Sequence, residues 1–358
     1  MAVSVNDVHL SLPQTIIAGI FLALGFSYFV FQVGELIRVL LSTFVTPGKP
    51  VRLNFYVWRA RGQSLIQSQL KSFGPRGSWA LVTGASDGIG KQYALQLAEA
   101  GFNVVLVSRT ASKLQTLSSK ITSFNPDVRI EILAMDFSKN QDSDYEKLAA
   151  IIKDKDIAIL INNVGQSHEL PVPYAEDPEE EVKNIITTNC IGTLKVTRLV
   201  LPGMSARSRG LILTMGSLAG LLPTPLLATY SGSKGFLQNW STALAAEVEE
   251  LGITVYFVQA YIVTSAMSKV RRSTYMFPTE KNFVKSTLVR IGNRCGSVGY
   301  AYSGTPWWSH ALFAWSILTI GYPYGHYVVH QNLMNHKKIR ARALKKAERL
   351  RLEAKKGT

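Results

Sequence analysis

Two cysteines, Cys190 and Cys295, stand in 358 residues, too few for a disulfide framework or a cysteine-rich zinc fold. Charge is scarce as well. Asp, Glu, Lys and Arg make up 18% of the chain, below the roughly 25% usual in soluble domains. Acid is the rarer sign, 24 residues against 39 basic ones, and leaves a net charge of +15. Internal repeats are absent, and the only low-complexity stretch is the Lys/Arg/Ala-rich tail. What is abundant is apolar side chain, 47% of the residues, which excludes a disordered chain.

The positive charge is unevenly placed. Residues 1–35 hold only Asp7 and Glu35, whereas residues 36–86 carry seven Lys or Arg and no acid. Residues 87–335 are nearly balanced, and residues 336–358 set ten basic side chains against Glu348 and Glu353. A nucleic-acid enzyme spreads its basic surface over the folded body; here the basic flanks adjoin hydrophobic stretches, which points to anionic lipid headgroups.

Leu10 to Gly34 is 25 residues without a charge, long enough to span a bilayer. No basic residue precedes it and it exceeds a signal-peptide core, so it reads as an anchor. The basic cluster behind it places the following domain in the cytosol. A second uncharged stretch, Cys295 to His336, is interrupted by Gly321, Pro323 and Gly325, which break a single straight helix. With globule and tail both cytosolic it cannot cross once, so a re-entrant or interfacial element is expected. The chain ends Lys355-Lys356-Gly357-Thr358, a pattern that resembles the cytosolic retrieval signal of endoplasmic-reticulum membrane proteins; a chance pair in a Lys-rich helix is the alternative. The expected organisation is an anchor (1–45), a basic linker (46–77), a globular domain (78–305), a hydrophobic membrane-associated segment (306–335) and a basic tail (336–358).

Within the globule, apolar runs alternate with amphipathic ones. Strands are expected at Trp79–Thr83, Asn103–Ser108, Arg129–Met135, Ile157–Ile161, Gly210–Met215 and Ile253–Val258, with helices to Ala100, near Ser112–Phe124 and from about Tyr230 to Leu251. Continuous apolar strands separated by helices imply an α/β fold, a Rossmann-like doubly wound parallel sheet covered on both faces.

The chemistry-bearing residues sit at strand ends. Thr83-Gly84-Ala85-Ser86-Asp87-Gly88-Ile89-Gly90 joins the first strand to its helix; glycines admit a pyrophosphate to the backbone and the helix start offers amide donors. Ser108-Arg109 closes the second strand, where an NAD enzyme carries an acid for the ribose hydroxyls. An arginine suits a 2′-phosphate instead, with Lys113 one turn on, so NADPH is the expected cofactor. Asp136 follows the third strand and either meets the adenine or caps a helix. Tyr230 and Lys234 stand at i and i+4 on one helical face. A cation beside the phenol lowers its pKa and lets it protonate a carbonyl as hydride arrives. Ser217, after the fifth strand, can hold the substrate oxygen.

Together these residues resemble the short-chain dehydrogenase/reductase family, whose motifs match at Thr83–Gly90, Asn162-Asn163-Val164-Gly165, Asn189, Ser217, Tyr230 and Lys234, in order over roughly residues 78–305. The resemblance implies Tyr230 as general acid, Lys234 on the nicotinamide ribose, Ser217 orienting the carbonyl, Asn189 supporting a water relay and Asn163 steadying the sheet beside the cofactor. One departure stands out. The family's Pro-Gly-x-x-x-Thr after the sixth strand is replaced by Gln259-Ala260-Tyr261-Ile262-Val263-Thr264, where Val263 and Thr264 can still meet the carboxamide.

The anchor, the Ser-Arg-x-x-x-Lys-Leu run, Phe283-Val-Lys-Ser286, Trp307-Trp308-Ser309-His310 and the dilysine end narrow the resemblance to the fungal-type branch that reduces very-long-chain 3-oxoacyl-CoA in microsomal fatty-acid elongation. It implies a long-chain 3-oxoacyl-CoA substrate, endoplasmic-reticulum lipids, and the condensing enzyme, dehydratase and enoyl reductase of elongation as partners, with no nucleic acid. Relatives of this branch reduce 17-keto steroids, and the motifs do not separate the two substrates. A non-catalytic scaffold is the reading from another class, disfavoured by the intact Asn189, Ser217, Tyr230 and Lys234. Lys269, Arg271 and Arg272 are placed to meet CoA phosphates or to form a solvated loop. His326 and His330 have metal-ligand spacing without a third ligand, so no metal is expected.

Overall fold

Short aliphatic runs become strands: β1 (Trp79–Thr83), β2 (Asn103–Ser108), β3 (Ile130–Ala134), β4 (Ile157–Asn162), β5 (Gly210–Met215), β6 (Ile253–Val258) and a two-residue β7 (Ser303–Gly304). In this computed structural model, which describes residues 12–46 and 62–356, the strands form one sheet ordered β3-β2-β1-β4-β5-β6-β7, and all its pairings are parallel. The order reverses between β1 and β4, the switch point at which doubly wound sheets bind ligands. Every residue of β1, β2, β4 and β5 is buried, which explains their unbroken apolar sequence.

The helices are α1 (Leu12–Phe44), α2 (Gly62–Leu70), α3 (Gly88–Glu99), α4 (Ala111–Phe124), α5 (Asp142–Ile152), α6 (Glu179–Ile186), α7 (Gly192–Ala206), α8 (Ala228–Val248), α9 (Glu280–Val289), α10 (Trp308–Thr319) and α11 (His326–Lys356). Strand alternation divides the core between them. Ala80 and Val82 pack with residues of α2, α3, α4 and α9, while Trp79 and Leu81 pack with residues of α5, α7 and α8. Truncating a fully buried residue such as Leu81 to alanine costs about 2–5 kcal/mol.

Three elements lie beyond the sequence expectations. β7 adds a seventh strand through Phe257 and Val258. The stretch expected as a linker contains α2, whose Ile66 and Leu70 join the core. The uncharged C-terminal stretch folds as α10, a turn, and α11, which continues without a break across residue 336 into the basic tail. Lys49, Arg52, Arg59 and Arg61 of the basic cluster, and Gly357 and Thr358 of the chain end, lie outside the described residues.

Helix α1 has two parts. Its first two-thirds, including Ile16, Ile20, Phe21, Phe26 and Phe29, is exposed, and it is long and apolar enough to cross a membrane. Its last turns dock on the domain. Arg290 donates through Nε (2.9 Å) and Nη2 (2.6 Å) to the Thr43 carbonyl, Asn293 donates to the Thr46 carbonyl (2.8 Å), and Val39 packs against Cys295 and Ala311. The Thr43 carbonyl, orphaned at the helix end, is thereby satisfied by a cation, the sign that suits a C-terminus.

Candidate active site

The glycine-rich turn between β1 and α3 shows why each glycine is needed. Gly84 and Gly88 adopt left-handed φ of +66° and +55°, which side chains resist. A Cβ on Gly90 would collide with the Gly84 carbonyl and the Asn163 amide, so α3 begins directly on the turn. Asp87 caps α3, its carboxylate accepting from Gly88 N at 2.8 Å. The next amides of the helix start, beginning with Ile89, follow, the place where a pyrophosphate binds.

Asn163 holds this turn from behind. Its side-chain amide donates to the carbonyls of Thr83 (3.0 Å) and Gly84 (3.3 Å), and the amides of Asn163 and Val164 donate to Thr83 Oγ1. Ser86 and Ser108 share a 2.7 Å hydrogen bond that joins the turn to the end of β2. Beside them is a cavity of about 210 Å³ lined by Ser86, Asp87, Lys91, Lys113, Thr116, Leu117 and Lys120. Lys113 also meets Asp87 at 3.5 Å. Arg109 is exposed outside the residues lining this cavity. Lys91 and Lys120 were missed from the sequence, although Lys113, Thr116 and Lys120 fall at i, i+3 and i+7, one face of α4. Asp136 serves as a cap: its carboxylate accepts from Ser138 N (3.1 Å) and Ser138 Oγ (2.8 Å).

At the ends of β4 and β5 the polar side chains expected as catalytic come together. Ser217 caps a single 3-10 turn, Leu218–Gly220, by accepting from Ala219 N at 3.1 Å, and its hydroxyl lies beside the Tyr230 phenol. Lys234, 5% exposed, donates through Nζ to the Met215 carbonyl at 2.8 Å and lies 5.9 Å from the Tyr230 ring centroid. Desolvation pushes the Lys234 ammonium down to about 8. The Tyr230 phenol is raised above its ordinary value by burial, with the neighbouring Ser217 opposing the rise. The motif led to the expectation of a lowered tyrosine pKa; here the direction is reversed, because burial of the phenol outweighs the opposing Ser217 hydroxyl.

Asn189 is brought in by a π-helical turn, Thr187–Ile191, between α6 and α7, a widening frequent at functional sites. Its Oδ1 accepts from Gln166 N (2.7 Å), and its Nδ2 donates to the Gln166 carbonyl (3.0 Å) and to Ser233 Oγ (2.9 Å). Ser233 in turn donates to the Tyr230 carbonyl at 2.7 Å. A Cβ on Gly165 would stand 3.4 Å from Asn189 Oδ1 and 3.7 Å from Lys234 Nζ, so the two side chains face each other across a glycine. The backbone of Gln166 carried no sequence signal for this role.

The departing segment after β6 is fixed by neighbours. Leu218 N donates to the Ala260 carbonyl at 2.8 Å, and Tyr261 N donates to His310 Nδ1 at 3.3 Å. Val263 and Thr264 are buried, and Thr264 Oγ1 is engaged with the Pro278 carbonyl and Glu280, so its hydroxyl anchors the loop. Ser265 is the residue that faces Gly88, 3.6 Å from a Cβ placed there. Farther on, Lys269 donates to the Glu169 carbonyl at 2.8 Å across the cleft, whereas Arg271 and Arg272 are exposed. His326 and His330 stack at 6.1 Å, and among the described residues no group of three metal-ligating side chains occurs.

These residues fit a phosphorylated dinucleotide. The glycine cradle bares the backbone at a helix start, the cavity beside it gathers three ammonium groups, and Tyr230, Ser217 and Lys234 converge past the end of β5. Known proteins resemble this chain in sequence and in fold. Two relatives titled very-long-chain 3-oxoacyl-CoA reductase are 55% identical over 336 residues (Emericella nidulans, 94% of this chain and 92% of the relative) and 60% identical over 312 residues (Aspergillus terreus, 87% and 83%). A solved short-chain dehydrogenase from Sphingobium yanoikuyae in complex with NADPH superposes with a TM-score of 0.56 at 24% identity, covering 64% of this chain and 87% of that one. The short chain dehydrogenase profile matches residues 78–276, more than half of the chain, and the chain belongs to that family.

Proposed function

We propose that this protein reduces very-long-chain 3-oxoacyl-CoA to 3-hydroxyacyl-CoA with NADPH. The observation that carries the reading is the 55–60% identity, over most of both chains, to fungal relatives named for that reaction. When bound, NADPH supplies a hydride to the C3 ketone. The chain's own residues manage the proton and the geometry. Ser217, beside the Tyr230 phenol, shares the carbonyl oxygen with it, and Tyr230 delivers its proton as negative charge develops there. Lys234, held by the Met215 carbonyl, positions the ribose and stabilises the phenolate left on Tyr230. Asn189, fixed by Gln166 and Ser233, keeps the wall opposite Lys234 rigid for the relay that restores the proton. Gly84, Ser86, Asp87, Gly88, Ile89 and Gly90 receive the pyrophosphate, Lys113 with Lys91 and Lys120 receives the 2′-phosphate with Arg109 at hand, and Val263 and Thr264 shape the carboxamide end.

We assign the chain to the endoplasmic-reticulum membrane, anchored by α1 with the catalytic domain in the cytosol, working beside the condensing enzyme, dehydratase and enoyl reductase of elongation. The basic charge after α1 and the Lys-rich tail support that assignment. The test is product analysis: the solubilised chain, NADPH and a long-chain 3-oxoacyl-CoA should yield the 3-hydroxyacyl-CoA in step with NADPH consumption. NADPH consumption without that product would refute the reading.

A further inference from the structure

The 3-10 turn capped by Ser217 begins an apolar seam. Leu218 and Leu221, each 3% exposed, pack against Ala314, and Tyr261, Phe313 and Leu318 close over them. The seam therefore starts one residue from Ser217 and continues onto α10, where Ala314 and Leu318 share a face at i and i+4 and Phe313 flanks them.

Polarity changes steadily along α10. At its beginning, Trp307 Nε1 and Ser309 Oγ donate to the Tyr275 carbonyl (2.8 and 2.7 Å), tying it to the loop that bears the exposed Arg271 and Arg272. In its middle lies the apolar seam. Beyond its end the hairpin tip exposes Ile320, Tyr322, Tyr324 and Tyr327, the apolar and aromatic mixture of a membrane interface. The helix also runs antiparallel to α1: Trp308 meets Phe44 with ring centroids 6.4 Å apart, Ala311 meets Val39, and the Thr319 carbonyl accepts from Tyr28 at 3.4 Å. Helix α11 returns on the other side, where Asn332 donates to the Pro223 carbonyl at 2.9 Å. The Leu221–Leu227 segment that links Ser217 to Tyr230 is thus held between the two arms of the hairpin.

A basic loop at one end, an apolar seam whose Phe313 and Leu318 are separated by about 7.5 Å of helix rise, and an aromatic tip beside the apolar part of α1 match a ligand with an anionic head and a long hydrocarbon tail. Resting on the acyl-CoA reading above, we infer that the acyl tail leaves the reactive carbon along the seam between Leu218, Leu221 and α10, with Phe313 and then Leu318 in its path toward the hairpin tip. These two residues set how chain length is read. The tail displaces side-chain contacts in the seam with its own methylenes and reaches hydrocarbon beside α1.

The experiment is a chain-length series of 3-oxoacyl-CoA substrates, from four carbons to more than twenty, on the full-length protein with and without Phe313→Ala or Leu318→Ser. Phe313→Ala should raise KM about tenfold for substrates of eighteen carbons or more, and the loss should shrink steadily as the chain shortens. Leu318→Ser should produce the same pattern with its onset at a longer chain, because Leu318 lies farther along the seam. NADPH affinity and the melting temperature report folding independently. Losses equal at every chain length, no loss at any length, or an earlier onset for Leu318→Ser than for Phe313→Ala would each overturn the seam. Absence of turnover by the unaltered protein at all lengths would overturn the acyl-CoA activity and the inference with it, a result distinct from the other three.

Discussion

Lys234 Nζ donates a 2.8 Å hydrogen bond to the carbonyl oxygen of Met215, the last residue of β5. That bond holds a nearly buried ammonium at the sheet edge, between the Tyr230 ring and Asn189. It fixes the direction of the side chain before any ligand arrives, which is what preorganised catalysis needs.

Tyr230→Phe removes the proton donor and keeps the ring in place. Reduction should fall by about a thousandfold, within the usual range for losing a general acid, while NADPH affinity, read by fluorescence quenching, stays within about twofold. Retained turnover would move the proton to another group.

The pH profile follows from Lys234, lowered by desolvation to about 8. If the charged form is the productive one, kcat should decline as pH rises through about 8, and Lys234→Arg should remove that limb while lowering the rate. Stability runs the other way. Burial penalises the ammonium below pH 8, and the penalty fades as pH rises from there to the unfolded value of 10.5, so denaturant midpoints should not fall across that window on this residue's account.

The cavity of Lys91, Lys113 and Lys120 should read the 2′-phosphate. Lys113→Ala should raise KM for NADPH about tenfold, the scale of one charge-assisted hydrogen bond, with little change for NADH. Adding Lys120→Ala should lower the NADPH preference further. An equal rise for both cofactors would show that the lysines do not distinguish the phosphate.

Arg290 satisfies the end of α1 through the Thr43 carbonyl. Arg290→Ala should lower stability by about 1–3 kcal/mol, the cost of leaving a buried acceptor unpaired, and should increase proteolysis after residue 46. Unchanged melting and proteolysis would mean that α1 docks by packing alone.

Much of the fold could be read from the sequence because its strands are local and fully apolar, and β1, β2 and β5 fall where the runs begin and end. Tyr230, Lys234 and Ser217 were visible for the same reason: each sits within a short strand-to-helix motif. What could not be read depends on distant partners. Lys91 joins Lys113 only when α3 and α4 lie side by side, and Gln166 offers main-chain groups that no side chain announces. Ile66 and Leu70 enter the core from a stretch that looks like a linker. The sign of the Tyr230 shift turns on burial, which local spacing does not report.

The most direct test of the central claim is the rate of NADPH oxidation by detergent-solubilised protein given a long-chain 3-oxoacyl-CoA and, separately, a 17-keto steroid, each repeated with NADH. The account predicts fast turnover of the acyl-CoA with NADPH, slower turnover with NADH, and little with the steroid. Preferential reduction of the steroid would contradict it, and inactivity toward both would leave the chain a scaffold.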